Sequence, residues 1–133
     1  MTRPRVLIAD DHVSVRIALR RLLSEDFDLA GEASNGQEAV DASEELRPDV
    51  VLMDVSMPVM SGLEATRILH QRMPQLRIVV VSQFADAAYA DEVFRLGGSG
   101  YVLKRAAATE LPDAIRAVMS GGTFLSSAVS SST

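Results

Sequence analysis

The chain has 133 residues, of which 47% are apolar, a net charge of −5 and no cysteine. This length and composition fit one folded domain with a hydrophobic core, and they exclude a largely disordered chain. The acidic balance argues against direct nucleic-acid binding, which needs clustered Lys and Arg, and the lack of cysteine excludes disulfides and thiolate metal sites.

Neither end of the sequence suggests a membrane or secretory segment. The N-terminal stretch MTRPRVLIADDH contains an apolar run of only four residues before its acids, which is too short for a signal-peptide core. No apolar run approaches the roughly 20 residues of a membrane-spanning helix. We therefore expect a soluble cytoplasmic protein with no membrane partner.

Strand and helix patterns alternate along the chain. Short apolar and β-branched runs predict strands at residues 5–9, 28–33, 50–53, 77–81 and 101–103. Helical spacing predicts helices at residues 13–24, 37–46, 63–72, 86–96 and 109–120. Thr109 is the expected N-cap of the last helix. Five strands alternating with five helices predict an α/β fold, a doubly wound five-stranded parallel sheet with five flanking helices.

The C-terminal tail differs in composition from the rest. After Gly121 and Gly122 the segment TFLSSAVSSST is rich in serine and has no periodicity. Phe124 and Leu125 can dock on the domain, whereas the remainder is typical of a frayed terminus or of a linker to a second domain. We predict one domain at residues 1–121 and a linker or tail at residues 122–133.

Three acids come after two of the predicted strands. Asp10 and Asp11 come directly after VLIA, and Asp54 comes directly after VVLM. Because the carboxyl ends of parallel strands lie at one edge of the sheet, where ligands bind, the three carboxylates should meet there. Like charges at this spacing repel, and burial would raise their pKa values, so a cation must neutralise them. Oxygen ligands suit Mg²⁺, and the sequence therefore predicts an Mg²⁺ site.

Two further polar residues end strands at the same edge. Ser82 comes directly after RIVVV, and Lys104 directly after YVL. Alone, Ser82 would be read as a turn residue and Lys104 as a solvated charge, but together with the acids they suit phosphoryl transfer. Asp54 is the best candidate for a nucleophile that forms an aspartyl phosphate, with the backbone carbonyl of Ser56 completing the metal ligands. His12 is expected to be an exposed loop residue without a direct role.

These residues fall into a recognisable set of motifs. In order, VLIADDH, VVLMDVSMPVMSGLEATR, VVVSQF and GYVLK resemble the receiver domain of two-component response regulators, over residues 4–121. The stretch DVSMPVMSG and the tail GGTFLSSAV resemble the NarL/FixJ branch, whose receiver precedes a linker and a LuxR-type helix-turn-helix DNA-binding domain. That output domain is absent from this sequence.

The resemblance implies a fold and a role for each site residue. It implies a flavodoxin-like strand order 2-1-3-4-5 and transfer of a phosphoryl group from a histidine kinase to Asp54. The remaining implied roles are Mg²⁺ ligation by Asp10, Asp11, Asp54 and the Ser56 carbonyl, phosphoryl pairing by Lys104, switching by Ser82 and Tyr101, and loop shaping by Pro58 and Gly62. The family commonly has proline where Arg105 succeeds Lys104, and without proline a cis bond there would cost about 2.5–4 kcal/mol.

The implied protein is a signalling switch and not a turnover enzyme, although it catalyses its own phosphorylation and dephosphorylation. Its implied partners are a sensor histidine kinase and a second copy of itself, in a phosphorylation-dependent homodimer, with DNA bound only through the missing output domain. One alternative is an Mg²⁺-dependent aspartyl-phosphate phosphohydrolase, but such enzymes need an acid two residues after the nucleophile, where this chain has Ser56. Another alternative is an interaction module that works without phosphorylation.

Overall fold

A computed structural model describes residues 3–129 of the chain. Its strands are β1 (Arg5–Ala9), β2 (Asp28–Ala33), β3 (Val50–Asp54), β4 (Arg77–Ser82), β5 (Gly100–Leu103) and β6 (Phe124–Leu125). Its helices are α1 (Val13–Leu23), α2 (Gly36–Leu46), α3 (Gly62–Arg72), α4 (Ala87–Arg95) and α5 (Ala107–Met119), and a 3-10 turn (Lys104–Ala106) precedes α5.

The strands form one parallel sheet in the order β2-β1-β3-β4-β5-β6. This confirms the predicted doubly wound α/β fold and the order of its first five strands. The structure adds β6, which the sequence pattern suggested only as a docking of Phe124 and Leu125. No helix among residues 3–129 has the length and apolarity needed to cross a lipid bilayer.

Two hydrophobic clusters cover the two faces of the sheet. Alternate residues of each central strand enter opposite clusters, as in β3, where Val51 and Met53 belong to one and Val50 and Leu52 to the other. Helices α2, α3 and α4 pack on the first face, and α1 and α5 pack on the second. Because both faces are covered, the central strands are apolar throughout, and polar residues appear only where the strands end.

The start of α5 differs from the prediction. The helix begins at Ala107 and not at Thr109, because the 3-10 turn leads directly into it. Thr109 therefore lies within the first turn, where its Oγ1 donates to the carbonyl of Ala106 at 3.1 Å. The peptide bond between Lys104 and Arg105 is trans, as are all peptide bonds among the residues described.

The segment after α5 folds back onto the sheet. Its strand β6 pairs with β5, and the Ser126 N–H donates to the carbonyl of Tyr101 at 2.8 Å. Glu110 of α5 fastens the turn beyond β6, because its carboxylate accepts from the Ser126 hydroxyl and from both the N–H and the hydroxyl of Ser127. Partial burial raises the pKa of Glu110, but these hydrogen bonds outweigh that effect and hold the pKa below its usual value.

We predict that Glu110→Ala frees this segment without unfolding the domain. Amide hydrogen exchange at Ser126 should become faster by on the order of tenfold, because the bonds that hold the turn are lost. In the wild type the same bonds are present above the ordinary carboxyl pKa and are lost as pH falls through the lowered pKa of Glu110. Glu45→Ala, at an exposed position of α2, is the control, and equal exchange in both variants would contradict the prediction.

Candidate functional site

The three predicted acids meet at the carboxyl edge of the sheet. Strands β1 and β3 pair with Ala9 beside Met53, so Asp10 and Asp54 leave neighbouring strands at the same level. One ligand atom from each of Asp10, Asp11, His12 and Asp54 lies within 4.8 Å of the others. Asp10 and Asp54 are each only 3% exposed. The edge therefore concentrates buried negative charge, as the sequence predicts.

Lys104 supplies the opposing charge. It lies immediately after β5, and its Nζ is 3.1 Å from Oδ1 of Asp54 and 3.9 Å from Oδ2 of Asp10. The strand order explains this reach, since β3 and β5 flank β4 on either side. The ammonium thus pairs with one acid and lies near a second.

One ammonium does not neutralise the cluster. Burial raises the pKa of Asp54, the charge of Asp10 raises it further, and Lys104 and the Ser56 backbone oppose this rise without reversing it. Oδ2 of Asp54 is buried without a hydrogen-bond partner. A buried carboxylate with an elevated pKa and an unpartnered oxygen is suited to receive a further cation or an electrophile.

The donor set fits a hard divalent cation. Asp10, Asp11 and Asp54 present carboxylate oxygens, the ligands that Mg²⁺ takes in proteins, and they lie close enough together to share one ion. Ser56 lies in the exposed loop directly after β3, and the ligand role of its carbonyl stays a prediction. An acid two residues after Asp54, which a phosphohydrolase would need, is not present, because Ser56 occupies that position.

Ser82 and Tyr101 are connected through one residue, Phe84. The Phe84 N–H donates to the Ser82 hydroxyl at 3.0 Å, and the Tyr101 hydroxyl donates to the Phe84 carbonyl at 2.6 Å. Tyr101 is completely buried, and burial raises its pKa while the Ser82 hydroxyl opposes the rise. The Phe84 ring stacks on Tyr89 with 4.5 Å between ring centroids. Because Phe84 is hydrogen-bonded to both residues, a displacement of Ser82 would also affect the hydrogen bond of Tyr101.

Backbone contacts hold the loop between β3 and α3 close to Asp54. A Cβ on Gly62 would lie 1.9 Å from the carbonyl oxygen of Asp54, so no larger residue fits there. Pro58 begins a tight γ-turn in which the Met60 N–H donates to its carbonyl at 2.7 Å. The central residue, Val59, has φ +69, which is unfavourable for a β-branched side chain. This strain lies within five residues of the predicted phosphoacceptor.

Two residues that sequence reasoning did not assign to the site contact it. His12 was expected to lack a role, yet its Nδ1 is 3.2 Å from Oδ1 of Asp10 and 3.1 Å from Oδ1 of Asp11. Arg16 donates to the backbone carbonyl of Asp10 at 2.6 Å and to Glu32 at 2.9 Å. Arg16 lies in the first turn of α1, a helix that begins directly after the acids. This closeness in sequence is the feature from which its contact with the site could have been predicted.

The fold is a flavodoxin-like parallel sheet whose carboxyl edge carries a cluster of acids and a lysine. Residues 6–116 match the response regulator receiver domain family. The chain belongs to this family. The match confirms the predicted resemblance and the predicted function class, a phosphorylation-controlled signalling switch.

Individual relatives agree with this assignment. The chain is 37% identical over 123 residues to the transcriptional regulatory protein DegU of Brevibacillus brevis, covering 91% of this chain and 52% of DegU. It therefore spans about half the length of the curated relatives it matches. A LuxR-family two-component response regulator from Aurantimonas sp. SI85-9A1 superposes with a TM-score of 0.92 at 34% identity, covering 96% of this chain and 93% of that one.

A third similar protein is the isolated REC domain of RcsB from Salmonella enterica serovar Typhimurium, whose structure was determined in the presence of the phosphomimetic BeF3-. It superposes with a TM-score of 0.87 at 28% identity, and the match covers 96% of each chain. The two superpositions each cover 96% of this chain, so the shared fold extends over nearly the whole of it.

We predict that Asp54→Asn stabilises the metal-free protein. The pKa of Asp54 is raised, so its charged form opposes folding once the pH exceeds that pKa, and the neutral amide removes this opposition. The free energy of unfolding at pH 7 should rise by about 1–3 kcal/mol, and the difference should shrink as pH falls through the raised pKa of Asp54 and vanish below the ordinary carboxyl pKa. Urea titrations at several pH values measure this. A variant less stable than the wild type at pH 7 would contradict it.

Arg16→Ala should have the opposite effect. Its side chain is only 16% exposed, and its removal takes the Arg16 donor from the Asp10 carbonyl and leaves Glu32 with Arg20 as its ion-pair partner. We expect the free energy of unfolding to fall by about 1–3 kcal/mol in thermal or urea denaturation. Arg21→Ala, an exposed position on the same helix, should change it by less than about 0.5 kcal/mol. Equal losses in the two variants would show that Arg16 has no special role.

Proposed function

We propose that this receiver domain accepts a phosphoryl group on Asp54, with Mg²⁺, from the phosphohistidine of a sensor histidine kinase. The observation that carries the proposal is the buried Asp54 carboxylate, which lies 3.1 Å from the Lys104 ammonium and within one group of acids with Asp10 and Asp11. Such a site offers a nucleophile together with the positive charge that phosphoryl transfer requires.

The groups present account for each bond that forms and breaks in the transfer. A carboxylate oxygen of Asp54 forms a bond to phosphorus as the phosphorus–nitrogen bond of the donor imidazole breaks, and the imidazole nitrogen takes a proton from solvent. A bound Mg²⁺ would supply neutralisation of the phosphoryl oxygens, and Asp10, Asp11 and Asp54 would hold it, with the Ser56 carbonyl as a further ligand. Lys104 exchanges part of its pairing with Asp54 for a phosphoryl oxygen.

The Ser82–Phe84–Tyr101 contacts provide the switch. The phosphoryl group carries roughly −1.5 to −2 charge in place of the single charge of the free carboxylate, and it attracts the Ser82 hydroxyl, which in the unphosphorylated protein accepts from the Phe84 N–H. Loss of that hydrogen bond changes the position of Phe84. Because the Phe84 carbonyl accepts from the Tyr101 hydroxyl, the hydrogen bond of Tyr101 on β5 changes with it. The phosphoryl group thereby biases a two-state element rather than deforming the whole domain.

Partners can be inferred from this role. We propose that the output domain binds DNA through a helix-turn-helix and thereby regulates transcription. The name of the DegU relative, a transcriptional regulatory protein, supports the role in transcription. A groove of about 670 Å³ between α1 and the start of α5, lined by Val15, Ala18, Leu22 and Ala107, is available for a phosphorylation-dependent homodimer.

We place the protein in the cytoplasm, and its only catalysis is its own phosphorylation and dephosphorylation.

Intact mass spectrometry tests the central claim. After incubation with Mg²⁺ and acetyl phosphate or phosphoramidate, the wild type should gain the mass of one phosphoryl group, and Asp54→Asn should gain none, because it lacks the nucleophile. Asp91→Asn, on the exposed face of α4, should behave as the wild type.

The negative result is also informative. If the wild type gains no mass although Mg²⁺ binding is measured separately, a screen with histidine kinases is the next step. A receiver that accepts from a kinase alone retains the proposed function, whereas no acceptance from any donor favours a module that works without phosphorylation.

A further inference from the structure

The segment that follows α5 is anchored on Tyr101. We refer to residues 124–129 as the strap. Leu125 of the strap pairs with Tyr101 in the register of β5 and β6, and the Ser126 N–H donates to the Tyr101 carbonyl at 2.8 Å. The last two residues of the strap pack against the hydrophobic cluster that contains Tyr101. The backbone of Tyr101 and the cluster around its ring therefore both support the strap.

Tyr101 is also the last member of the hydrogen-bonded series that begins at Ser82. The Tyr101 hydroxyl donates to the Phe84 carbonyl at 2.6 Å, and the Phe84 N–H donates to the Ser82 hydroxyl at 3.0 Å. Tyr101 is completely buried, so a hydroxyl that lost the Phe84 carbonyl would be left without this partner unless the ring moved. A movement of this ring would change the surface on which the strap packs. A displacement of Ser82 can therefore reach the strap through Tyr101.

The strap can detach without unfolding the helix before it. Strand β6 has only two residues, and one of them, Leu125, is 51% exposed. Gly121 lies between α5 and the strap with φ +93, and a Cβ there would meet nothing within 4 Å beyond its chain neighbours. Segments with few buried contacts open locally at a small fraction of the global free energy of unfolding. The main additional anchor is the Glu110 carboxylate, which accepts three hydrogen bonds from Ser126 and Ser127.

We propose that phosphorylation of Asp54 releases the strap. The inference rests on the proposed function and extends it, because it names the element that carries the state of the site out of the domain. The phosphoryl group draws the Ser82 hydroxyl away from Phe84, the contact between Phe84 and Tyr101 weakens, and the strap loses the surface that holds it. Residues 122–133 are the predicted linker, so release of the strap lengthens the tether of the proposed output domain.

Coupling of this kind acts in both directions. A ligand that favours release of the strap must itself bind more tightly when the strap is already loose. Glu110→Ala loosens the strap and leaves every acid of the site in place. It should therefore favour the phosphorylated form, although Glu110 is not a residue of the site. A contact that only stabilises the end of the domain would show no such effect.

The first experiment uses the whole unphosphorylated chain and tests Tyr101 alone. Tyr101→Phe removes the hydroxyl that contacts Phe84 and keeps the ring. Amide hydrogen exchange at Ser126 should become faster by on the order of tenfold. Exchange at Leu52, within the buried strand β3, should change much less, which distinguishes local release from general destabilisation. Tyr89→Phe is the matched control, because Tyr89 is the other tyrosine of the chain and its ring stacks on Phe84, and it should leave exchange at Ser126 unchanged.

The second experiment adds the phosphoryl analogue BeF3- together with Mg²⁺. Exchange at Ser126 in the wild type should become faster by on the order of tenfold or more. In Glu110→Ala the Kd of BeF3- at saturating Mg²⁺, measured by ¹⁹F NMR titration, should fall by about the factor by which the same substitution speeds exchange at Ser126. Glu45→Ala, at an exposed position of α2, should bind BeF3- as the wild type does.

Each contrary result has its own meaning. If Tyr101→Phe and Tyr89→Phe give the same exchange at Ser126, Tyr101 does not hold the strap and the inference fails. If BeF3- binds and Asp54 gains a phosphoryl group, but exchange at Ser126 is unchanged or slower, the strap is not released and the proposed function stands. Equal BeF3- affinities of Glu110→Ala and the wild type have the same meaning. If the wild type neither binds BeF3- nor accepts a phosphoryl group from any donor, the proposed function and this inference fail together.

Discussion

Burial of like charges at one sheet edge is the constraint on which the rest of this structure depends. Asp10 and Asp54 are almost wholly removed from solvent beside Asp11, and Lys104 offsets only part of their repulsion. Such a cluster is unfavourable in the metal-free fold, and the hydrophobic packing on the two faces of the sheet must hold it in place. The surplus negative charge is then available to attract a cation, and the elevated pKa of Asp54 is its clearest sign.

The same edge is built so that a change at one strand reaches the next. Asp54 ends β3, Ser82 ends β4, and Tyr101 lies on β5, so the proposed acceptor and the two proposed switch residues occupy three neighbouring strands. Phe84 joins the last two through its own backbone N–H and carbonyl. Its ring stacks on Tyr89, an interaction of about 0.5–1.5 kcal/mol. A movement of the β4–α4 loop must either break this stacking or move both rings together.

Sequence patterns were sufficient for those parts of the molecule that depend on periodicity and strand ends. The continuously apolar runs VVLM and RIVVV identify buried parallel strands, and parallel alignment alone brings Asp10, Asp11, Asp54 and Lys104 together. Features set by side-chain direction were not accessible in this way. The orientation of the His12 ring and the reach of Arg16 to the Asp10 carbonyl depend on rotamers and on where α1 begins, and the turn beyond β6 depends on three hydrogen bonds to Glu110.

Strand β6 affects how a shortened receiver would behave. Without β6, the outer side of β5 would present unpaired N–H and carbonyl groups, and open strand edges of this kind promote pairing between molecules. Two residues and the turn beyond them cover that edge, and Ala128 and Val129 pack against the hydrophobic cluster beneath it. A receiver shortened to end with α5 would retain every residue of the acidic site, but it would expose an unpaired strand edge that can pair with another molecule. Its self-association would then reflect the truncation and not the phosphorylation state.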